Sequence, residues 1–389
     1  MLTLHGELSD EVKIISPSDG YHYFFAYYDM RATGANGINQ KHLCHRVKFM
    51  DRMPMADDVC EIGYLDGGSF FKIAETTAWN FQQGAMLQYH PTEPDTVYYN
   101  VIADGKTQTV THNFKTGKKS YTDMGTACVS PNGRYGLAVN FARIFAFRPG
   151  YGYAGIEDKN ADVFAPDDDG VFLVDMNSGV SSLLISYSDM LSDSGFSEND
   201  KLLINHITFS PDSKRFVMLV RNFYTPPKMW STTLMLGDVN GNFKAVLKNT
   251  VVSHYYWLNE RELLAFCSPN GDRPLLYVID VDSGEYRCID SDYFHTGHNV
   301  DIHCTITPSK KYVIGDGYPI DGYRHLLAIN LESGESRSIL KAKTVIPKIG
   351  DIRCDLHARY VFDGKYVSFD TTHNGRREIA IFPTDKIDF

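Results

Sequence analysis

The sequence predicts an all-β protein, a seven-bladed β-propeller with four antiparallel strands in each blade. Three observations predict this fold. A polar turn that leads into an apolar strand recurs along the chain, and a second strand ending in a Gly turn follows most copies. The repeat period of roughly 40 to 60 residues is that of a propeller blade. No helix-period segment is long enough for a strand–helix–strand fold. We therefore expect residues 1–389 to form a single propeller domain.

The repeated elements can be followed along the chain. The polar turn and its strand recur at residues 130–139, 210–219, 258–267, 307–316 and 361–370, with a looser copy at 90–99. The Gly-containing hairpins lie at residues 113–120, 174–182, 238–243, 280–287 and 330–337. Glycine suits these hairpins because it adopts the positive φ that the turn requires. Six repeats run from residue 86 onward, and we expect the seventh within residues 21–76.

The third repeat is interrupted by a long insertion over residues 141–169, rich in Gly, Arg and Tyr. Long loops on a rigid repeat scaffold commonly carry functional residues. We therefore expect part of the functional site in this insertion.

Composition narrows the class of partner and the compartment. The net charge of −10 argues against nucleic acid as the main partner, although one local pocket can still attract an anion. No apolar run approaches the roughly 18 to 20 residues of a membrane span. Seven scattered cysteines without a CxxC pair, and no visible signal peptide, predict a cytoplasmic protein with reduced thiols. Removal of a signal peptide would instead imply a periplasmic or secreted protein. Nothing in the sequence predicts an oligomeric state.

Four histidines occupy one equivalent position, five residues before the recurring turn. They are His206, His254, His303 and His357, spaced 48, 49 and 54 residues apart. The innermost strands of a propeller line its channel, so these imidazoles are expected to converge at one rim. Imidazole is the commonest metal ligand and the usual general base near neutral pH. The alternative is that each histidine packs against its neighbouring blade and bonds a backbone carbonyl.

Two carboxylates accompany these histidines. Asp355 precedes His357 by two residues, and Asp301 precedes His303 by two, so on a strand each pair faces one side. An Asp-x-His pair with a histidine from the next blade suits a divalent cation with open coordination positions, namely Mn²⁺, Zn²⁺ or Ca²⁺. His295 and His298 are expected in a loop. Cationic and hydroxyl groups expected near the same rim are Arg221, Arg353, Arg324, Arg143, Arg148, Tyr151 and Tyr153.

Segments 253–257 (SHYYW), 302–317 (IHCTITPSKKYVIGDG) and 354–379 (CDLHARYVFDGKYVSFDTTHNGRREI) resemble the oligogalacturonate lyases. These are seven-bladed propeller polysaccharide lyases of the cytoplasm that act on short uronate oligosaccharides. The resemblance covers about residues 200–385. The chain resembles the ulvan lyases more distantly, and those enzymes use His, Tyr and Arg instead of a metal.

The resemblance implies roles for several residues. His254 would act near the reacting sugar, with Ser253 in place of the family's glycine, and His303 would bind the metal. Asp355 and His357 align with the family's closing pair of histidine ligands, so one imidazole is here a carboxylate. Ile352 stands where the family has a glutamine ligand.

The resemblance implies β-elimination on an anionic, uronate-containing oligosaccharide. We expect a cation on His303, Asp355 and His357, with Mn²⁺ favoured, to neutralise the substrate carboxylate. Arg221 or Arg353 would assist it, with Arg143 also counted among the catalytic groups. Arg148, Arg324, Arg353 and Tyr151 would bind substrate.

The proton transfers are expected to use residues of the same rim. His254, with His206 as second choice, would remove the C5 proton, and Tyr153 or Tyr151 would protonate the leaving oxygen.

Two alternative functions remain. One is a non-catalytic propeller that binds a glycan or a protein. The other is the propeller of a peptidase, although we expect no hydrolase domain beside the repeats, which reach Phe389.

Overall fold

The strands form seven four-stranded antiparallel sheets, which confirms the predicted all-β, seven-bladed propeller. The structure, a computed structural model, describes residues 8–223, 230–296, 300–345 and 350–387. In each sheet the strands follow one another in chain order from the channel outward, except in the last sheet, which the amino-terminal strand completes.

The first three blades are formed by residues up to 186. The first blade contains β2 (His22–Phe24), β3 (His42–Val47), β4 (Cys60–Asp66) and β5 (Ser69–Thr76). The second contains β6 (Gln88–Tyr89), β7 (Thr96–Ala103), β8 (Lys106–Asn113) and β9 (Lys119–Tyr121). The third contains β10 (Thr126–Val129), β11 (Tyr135–Ala138), β12 (Gly170–Asp175) and β13 (Ser181–Ser186).

The remaining four blades follow. The fourth contains β14 (Leu202–Phe209), β15 (Arg215–Asn222), β16 (Thr232–Asp238) and β17 (Phe243–Thr250). The fifth contains β18 (Val252–Trp257), β19 (Glu262–Cys267), β20 (Leu275–Asp280) and β21 (Tyr286–Ile289). The sixth contains β22 (Ile302–Ile306), β23 (Tyr312–Gly317), β24 (Tyr323–Asn330) and β25 (Ser336–Lys343). The seventh contains β26 (Arg359–Val361), β27 (Tyr366–Thr371), β28 (Glu378–Pro383) and the amino-terminal β1 (Lys13–Ile14).

The ring is closed by pairing between the two ends of the chain. Lys13 of β1 pairs with Ile381 of β28, and Ile14 pairs with Ala380. The amino-terminal strand is thereby the outermost strand of the seventh blade, and its pairing with β28 joins the two ends of the chain in one sheet.

Apolar side chains between neighbouring sheets form the core. Between the fourth and fifth blades, for example, Val217 and Leu219 of β15 pack in one cluster with Tyr255 and Trp257 of β18. Strand β14 is buried along its whole length, as expected for an inner strand enclosed by its neighbours. The apolar faces of adjacent blades therefore fix the inner strands around the channel.

The insertion in the third blade folds onto the propeller. It contains α1 (Phe141–Phe147), capped by the Asn140 side chain, and then a 3-10 turn over Pro149–Tyr151. A second helix, α2 (Tyr187–Ser194), begins with a capping box formed by Ser186 and Asp189. Within the described ranges, neither helix has the length and apolar character needed to cross a bilayer.

A segment after β2 leaves the first blade and enters the channel. Ala26 has a φ of 77°, a left-handed conformation that turns the chain inward. The backbone N–H of Ala26 donates a hydrogen bond to Oδ2 of Asp370 at 2.7 Å. The next two residues, Tyr27 and Tyr28, are buried. The Tyr28 hydroxyl donates to the carbonyl of Tyr255 in the fifth blade at 3.1 Å, so its ring reaches across the channel.

Candidate active site

The four histidines of equivalent position lie on four consecutive blades, the fourth to the seventh. The ring centroids of His206 and His254 are 6.2 Å apart, those of His254 and His303 are 4.2 Å apart, and those of His303 and His357 are 4.4 Å apart. All four side chains are buried. The rings therefore form one continuous arc around the mouth of the channel.

His254 is paired with Asp301 of the next blade. Its Nδ1 lies 2.8 Å from Oδ1 of Asp301, and the Ser253 hydroxyl donates to the other carboxylate oxygen at 2.5 Å. Burial lowers the pKa of His254 below its usual value, against the opposing effect of Asp301. His254 is consequently a neutral imidazole whose Nδ1 faces a carboxylate, and its Nε2 makes no hydrogen bond within the described ranges.

His206 has different neighbours. Its Nδ1 lies 3.2 Å from Nε2 of Gln83 and 3.3 Å from the Tyr27 hydroxyl. The Tyr27 ring stacks against it at a centroid distance of 5.7 Å. Burial, together with the nearby Arg221 charge, holds the pKa of His206 well below its usual value. His206 therefore also remains neutral, but no carboxylate faces its Nδ1.

His303, Asp355 and His357 form a cluster suited to a cation. Their ligand atoms lie within 4.8 Å of one another, and all three residues are buried. In the described part of the chain, neither ring nitrogen of His303 makes a hydrogen bond, although Nδ1 lies 3.5 Å from Oδ1 of Asp316. Buried polar atoms without hydrogen bonds are costly, and a bound divalent cation would satisfy them. The residues present thus fit a cation site.

The electrostatics of this cluster follow from its carboxylates. Burial disfavours a charged His303, but Asp316 and Asp355 outweigh this effect and raise its pKa. Burial also disfavours a charged Asp355, yet Arg324 and Arg353 hold its pKa well below the usual value. For His357, burial and the neighbouring His303 lower the pKa.

The backbone around His357 differs from the expected strand. The segment before β26 is irregular, and His357 has a φ of 44°. Oδ2 and Oδ1 of Asp316 accept hydrogen bonds from the backbone N–H groups of Leu356 and His357, each at 2.9 Å. The prediction that strand alternation brings Asp355 and His357 to one side is therefore wrong. Their proximity comes from this anchored turn, in which Nε2 of His357 lies 3.8 Å from Oδ2 of Asp355.

Two arginines hold Asp355 in place. Nη2 of Arg324 lies 2.5 Å from Oδ1, and Nε of Arg353 lies 2.8 Å from Oδ2. Arg324 also donates to the carbonyl of Gly317 at 2.7 Å, so its guanidinium is directed into the protein. The structure thus makes Arg324 a partner of Asp355 and does not bring it to the pocket wall where substrate binding was expected.

A pocket of about 330 Å³ opens beside the histidine arc. This volume lies within the usual range for small-molecule sites. Its lining includes Arg148, Tyr151, His206, Arg221, Ser253, His254, Trp230, Asp301, Tyr318 and Arg353.

Three arginines give this pocket a positive wall. The Arg148 guanidinium lies 4.3 Å from the Tyr151 ring centroid, and its Nε lies 3.0 Å from Oδ1 of Asp351. Arg353 donates to the Tyr151 hydroxyl at 2.9 Å. Burial and the charge of Arg148 lower the pKa of Arg221 to about 10. The pocket therefore suits an anionic ligand although the whole chain is acidic.

Two residues of the insertion lie outside this pocket lining. The Arg143 guanidinium donates hydrogen bonds to backbone carbonyls, namely those of Leu202, Asn160, Val163 and Phe164, and lies 3.5 Å from Oδ2 of Asp158. The Tyr153 ring stacks on Phe141 at 4.3 Å, and its hydroxyl accepts a hydrogen bond from Asn100. Both side chains are 0% exposed, which corrects the expectation that they act on a substrate. Arg143 instead anchors the insertion, and Tyr153 belongs to the core.

The remaining histidines lie elsewhere. His295 follows β21 and is paired with Asp290, with its Nε2 2.6 Å from Oδ1. Its side chain is 56% exposed. His298 lies outside the described residues.

Sequence reasoning missed several groups at this site. Gln83 and Tyr27 contact His206 across 123 and 179 residues, and no spacing along the chain relates them. Asp316 was visible only as the middle residue of the Gly-Asp-Gly sequence that ends β23. The sequence places Asp301 beside His303, but the structure pairs it with His254.

The fold and the site together define a seven-bladed propeller with a cationic pocket and a His/Asp cluster at one mouth of its channel. Two solved structures of oligogalacturonate lyases are similar to it. The one in complex with manganese has a TM-score of 0.67 and 14% identity, covering 100% of this chain and 98% of that one. The one from Vibrio parahaemolyticus has a TM-score of 0.66 and 12% identity, covering 98% and 96%.

Other comparisons are less informative. The tricorn protease has a TM-score of 0.53 and 13% identity, and covers 98% of this chain but only 35% of its own. No protein-family model matches the sequence, and no curated protein matches it. The predicted resemblance to the oligogalacturonate lyases is thus confirmed as a shared propeller fold.

Proposed function

We propose that the protein is a lyase that cleaves a uronate-containing oligosaccharide by β-elimination. The observation that carries the proposal is the neutral His254, oriented by Asp301, in one pocket with Arg148, Arg221 and Arg353. β-Elimination beside a carboxylate needs a base for the C5 proton and positive charge for the carboxylate, and this pocket offers both.

The proton transfers can be assigned to residues of the pocket. Nε2 of His254 removes the C5 proton, and the electron pair of that bond forms the C4–C5 double bond. The C4–oxygen bond then breaks, and the leaving oxygen takes up a proton. Tyr151, which lines the pocket, is the proton donor that we propose, and water is the alternative.

The guanidinium groups bind the substrate carboxylate. As the C5 proton leaves, negative charge moves onto the carboxylate oxygens, and prearranged positive groups stabilise that charge. Arg353 is the best placed of the three because it is fixed by both Asp355 and Tyr151. Arg148 and Arg221 extend the positive wall.

His303, Asp355 and His357 are the residues that would hold a divalent cation, and we favour Mn²⁺ among Mn²⁺, Zn²⁺ and Ca²⁺. The two imidazoles and one carboxylate suit such an ion, and one of the similar lyase structures is a manganese complex. When bound, the ion would supply additional positive charge for the substrate carboxylate. We propose a cytoplasmic location for the enzyme.

The test is the ultraviolet absorbance of the unsaturated uronate that β-elimination creates. The purified protein, supplied with Mn²⁺, is incubated with oligogalacturonate, ulvan and glycosaminoglycan oligosaccharides. We expect an absorbance increase with one of these classes and none with neutral oligosaccharides. Binding without any absorbance change would replace the lyase with a non-catalytic glycan-binding propeller.

A further inference from the structure

The surroundings of His206 determine which of its ring nitrogens carries the proton. Its Nδ1 lies 3.2 Å from the Gln83 amide nitrogen, which can only donate a hydrogen bond. Nδ1 must therefore hold the lone pair, and the single proton of the neutral ring must lie on Nε2. The Tyr27 hydroxyl, 3.3 Å from the same Nδ1, is compatible with this arrangement because it too can donate.

We propose that His206 acts as a neutral hydrogen-bond donor through Nε2, and that Gln83 is the positioning residue that fixes this tautomer. His206 lines the pocket, and its Nε2 makes no hydrogen bond within the described ranges. A donor is therefore available to a bound ligand, and this nitrogen has no lone pair with which to remove a proton.

Gln83 is itself held by a rigid turn. The side-chain oxygen of Asn80 accepts hydrogen bonds from the backbone N–H of Gln83 at 2.7 Å and of Gln82 at 3.0 Å. The Asn80 amide in turn donates to the carbonyl of Gly152 at 3.2 Å. Gln83 is 3% exposed, so its amide position is set by packing and not by solvent.

The orientation of the Gln83 amide has a physical reason. Its Oε1 accepts no hydrogen bond among the described residues. Turning the amide over would instead leave its two N–H groups in that position, and buried unpaired donors are rarer in proteins than under-satisfied carbonyl oxygens. The amide nitrogen therefore belongs next to His206.

His206 and His254 consequently have opposite tautomers. Nδ1 of His254 faces the Asp301 carboxylate and donates to it, which leaves the lone pair on Nε2. Nδ1 of His206 faces an amide donor, which leaves the proton on Nε2. Two imidazoles 6.2 Å apart thus present a base and a donor to one pocket.

This inference rests on the proposed function for its chemical meaning. In β-elimination the charge that develops on the substrate carboxylate needs hydrogen-bond donors, and a neutral imidazole N–H can serve as one. His206 would donate to that oxygen, whereas removal of the C5 proton belongs to His254 alone. His206 is thereby excluded as the alternative base.

The tautomer is tested without substrate by nitrogen-15 NMR of histidine-labelled protein at neutral pH, with the His206 signals assigned by their loss in His206→Met. We expect an unprotonated Nδ1 and a protonated Nε2. In Gln83→Glu the carboxylate would accept from Nδ1, so the signals should change to the opposite tautomer or to the imidazolium. A protonated Nδ1 in the wild type would overturn the proposal, whether or not the protein is a lyase.

The catalytic part is tested by rescue. The Gln amide nitrogen of His206→Gln can replace an Nε2–H donor, but it cannot replace a base. Loss of one such donor typically costs about 100- to 1,000-fold in kcat, which we expect for His206→Met, with His206→Gln recovering at least tenfold. Equal activity of the two folded variants, judged by their NMR spectra, would overturn the donor role. Absence of lyase activity in the wild type would instead count against the proposed function and leave the tautomer result standing.

Discussion

Nδ1 of His254 lies 2.8 Å from Oδ1 of Asp301, although the two residues belong to different blades. Asp301 stays ionised, because the adjacent His254 and His303 outweigh its burial and lower its pKa to about 2. The permanent carboxylate holds the proton of His254 on Nδ1 and so leaves Nε2 as the basic nitrogen. The arrangement supplies an oriented base at the junction of two rigid sheets.

Asp301→Asn should lower kcat by about 100-fold or more with a much smaller change in KM. The amide no longer requires the proton to be on Nδ1, so the basic nitrogen is lost from the pocket. The measurement is steady-state kinetics by the absorbance of the unsaturated product. Asp290→Asn is the matched control, because Asp290 holds the exposed His295 in a similar pair at 2.6 Å. Equal effects of the two changes would contradict the role of Asp301.

Arg353→Lys should raise KM by about tenfold or more. A lysine ammonium cannot reproduce the planar contacts that Arg353 makes with Asp355 and Tyr151, so the carboxylate-binding wall loses its geometry. Arg337→Lys is the matched control and should leave KM unchanged, because the Arg337 side chain is 49% exposed. The idea fails if KM is unchanged in Arg353→Lys under conditions where the folded fraction matches the wild type.

Elemental analysis should find one divalent cation per chain after purification with Mn²⁺, and none in His303→Ala. His303 offers one ring nitrogen to the cation cluster, and neither of its nitrogens makes a hydrogen bond among the described residues, so its removal takes away a ligand without breaking a hydrogen bond. His206→Ala serves as a comparison and should retain the ion, because His206 is outside the cluster. If the wild-type protein were active and free of metal, the arginines alone would neutralise the substrate carboxylate.

The free energy of unfolding should decrease as the pH is lowered from about 6.5. His45 is 0% exposed, and burial lowers its pKa from 6.5 to about 3. Between these values the unfolded chain binds a proton that the folded chain does not bind, which costs about 1.4 kcal/mol of stability per pH unit. His42, also with a pKa near 3, adds a similar contribution.

Urea unfolding at several pH values measures how steeply the free energy of unfolding changes with pH. His45→Gln should reduce this dependence on pH by about 1.4 kcal/mol per pH unit, the contribution of one proton, even if the variant is less stable at every pH. This comparison separates the titration from the loss of the hydrogen bond that Ala85 donates to Nε2 of His45 at 3.0 Å. An identical slope in the variant would show that His45 does not carry the effect.

The blades and the histidine arc were predictable because both repeat at a fixed period. Polar turns and Gly hairpins recur in each blade, and a repeated position on an inner strand returns at the same level of the channel. His206, His254, His303 and His357 could thus be aligned from sequence alone. The same reasoning fails where a residue acts from outside its repeat, as Gln83 and Tyr27 do at His206.

The insertion shows a second limit. A long loop rich in Arg and Tyr suggested catalytic side chains, but composition does not distinguish a side chain that faces the pocket from one that anchors the loop. Tyr151 and Arg148 line the pocket, whereas Arg143 and Tyr153 are fully buried supports. The cause is α1, whose packing against the core could not be inferred from so short a segment.

Tyr27 and Tyr28 have a consequence for how a substrate would reach the site. Their buried rings lie among the inner strands, and the Tyr28 hydroxyl reaches the fifth blade one residue beyond His254. A saccharide that enters at the histidine arc would therefore meet these two rings on the inner side of the site. Substrate and product would then use the same opening of the channel.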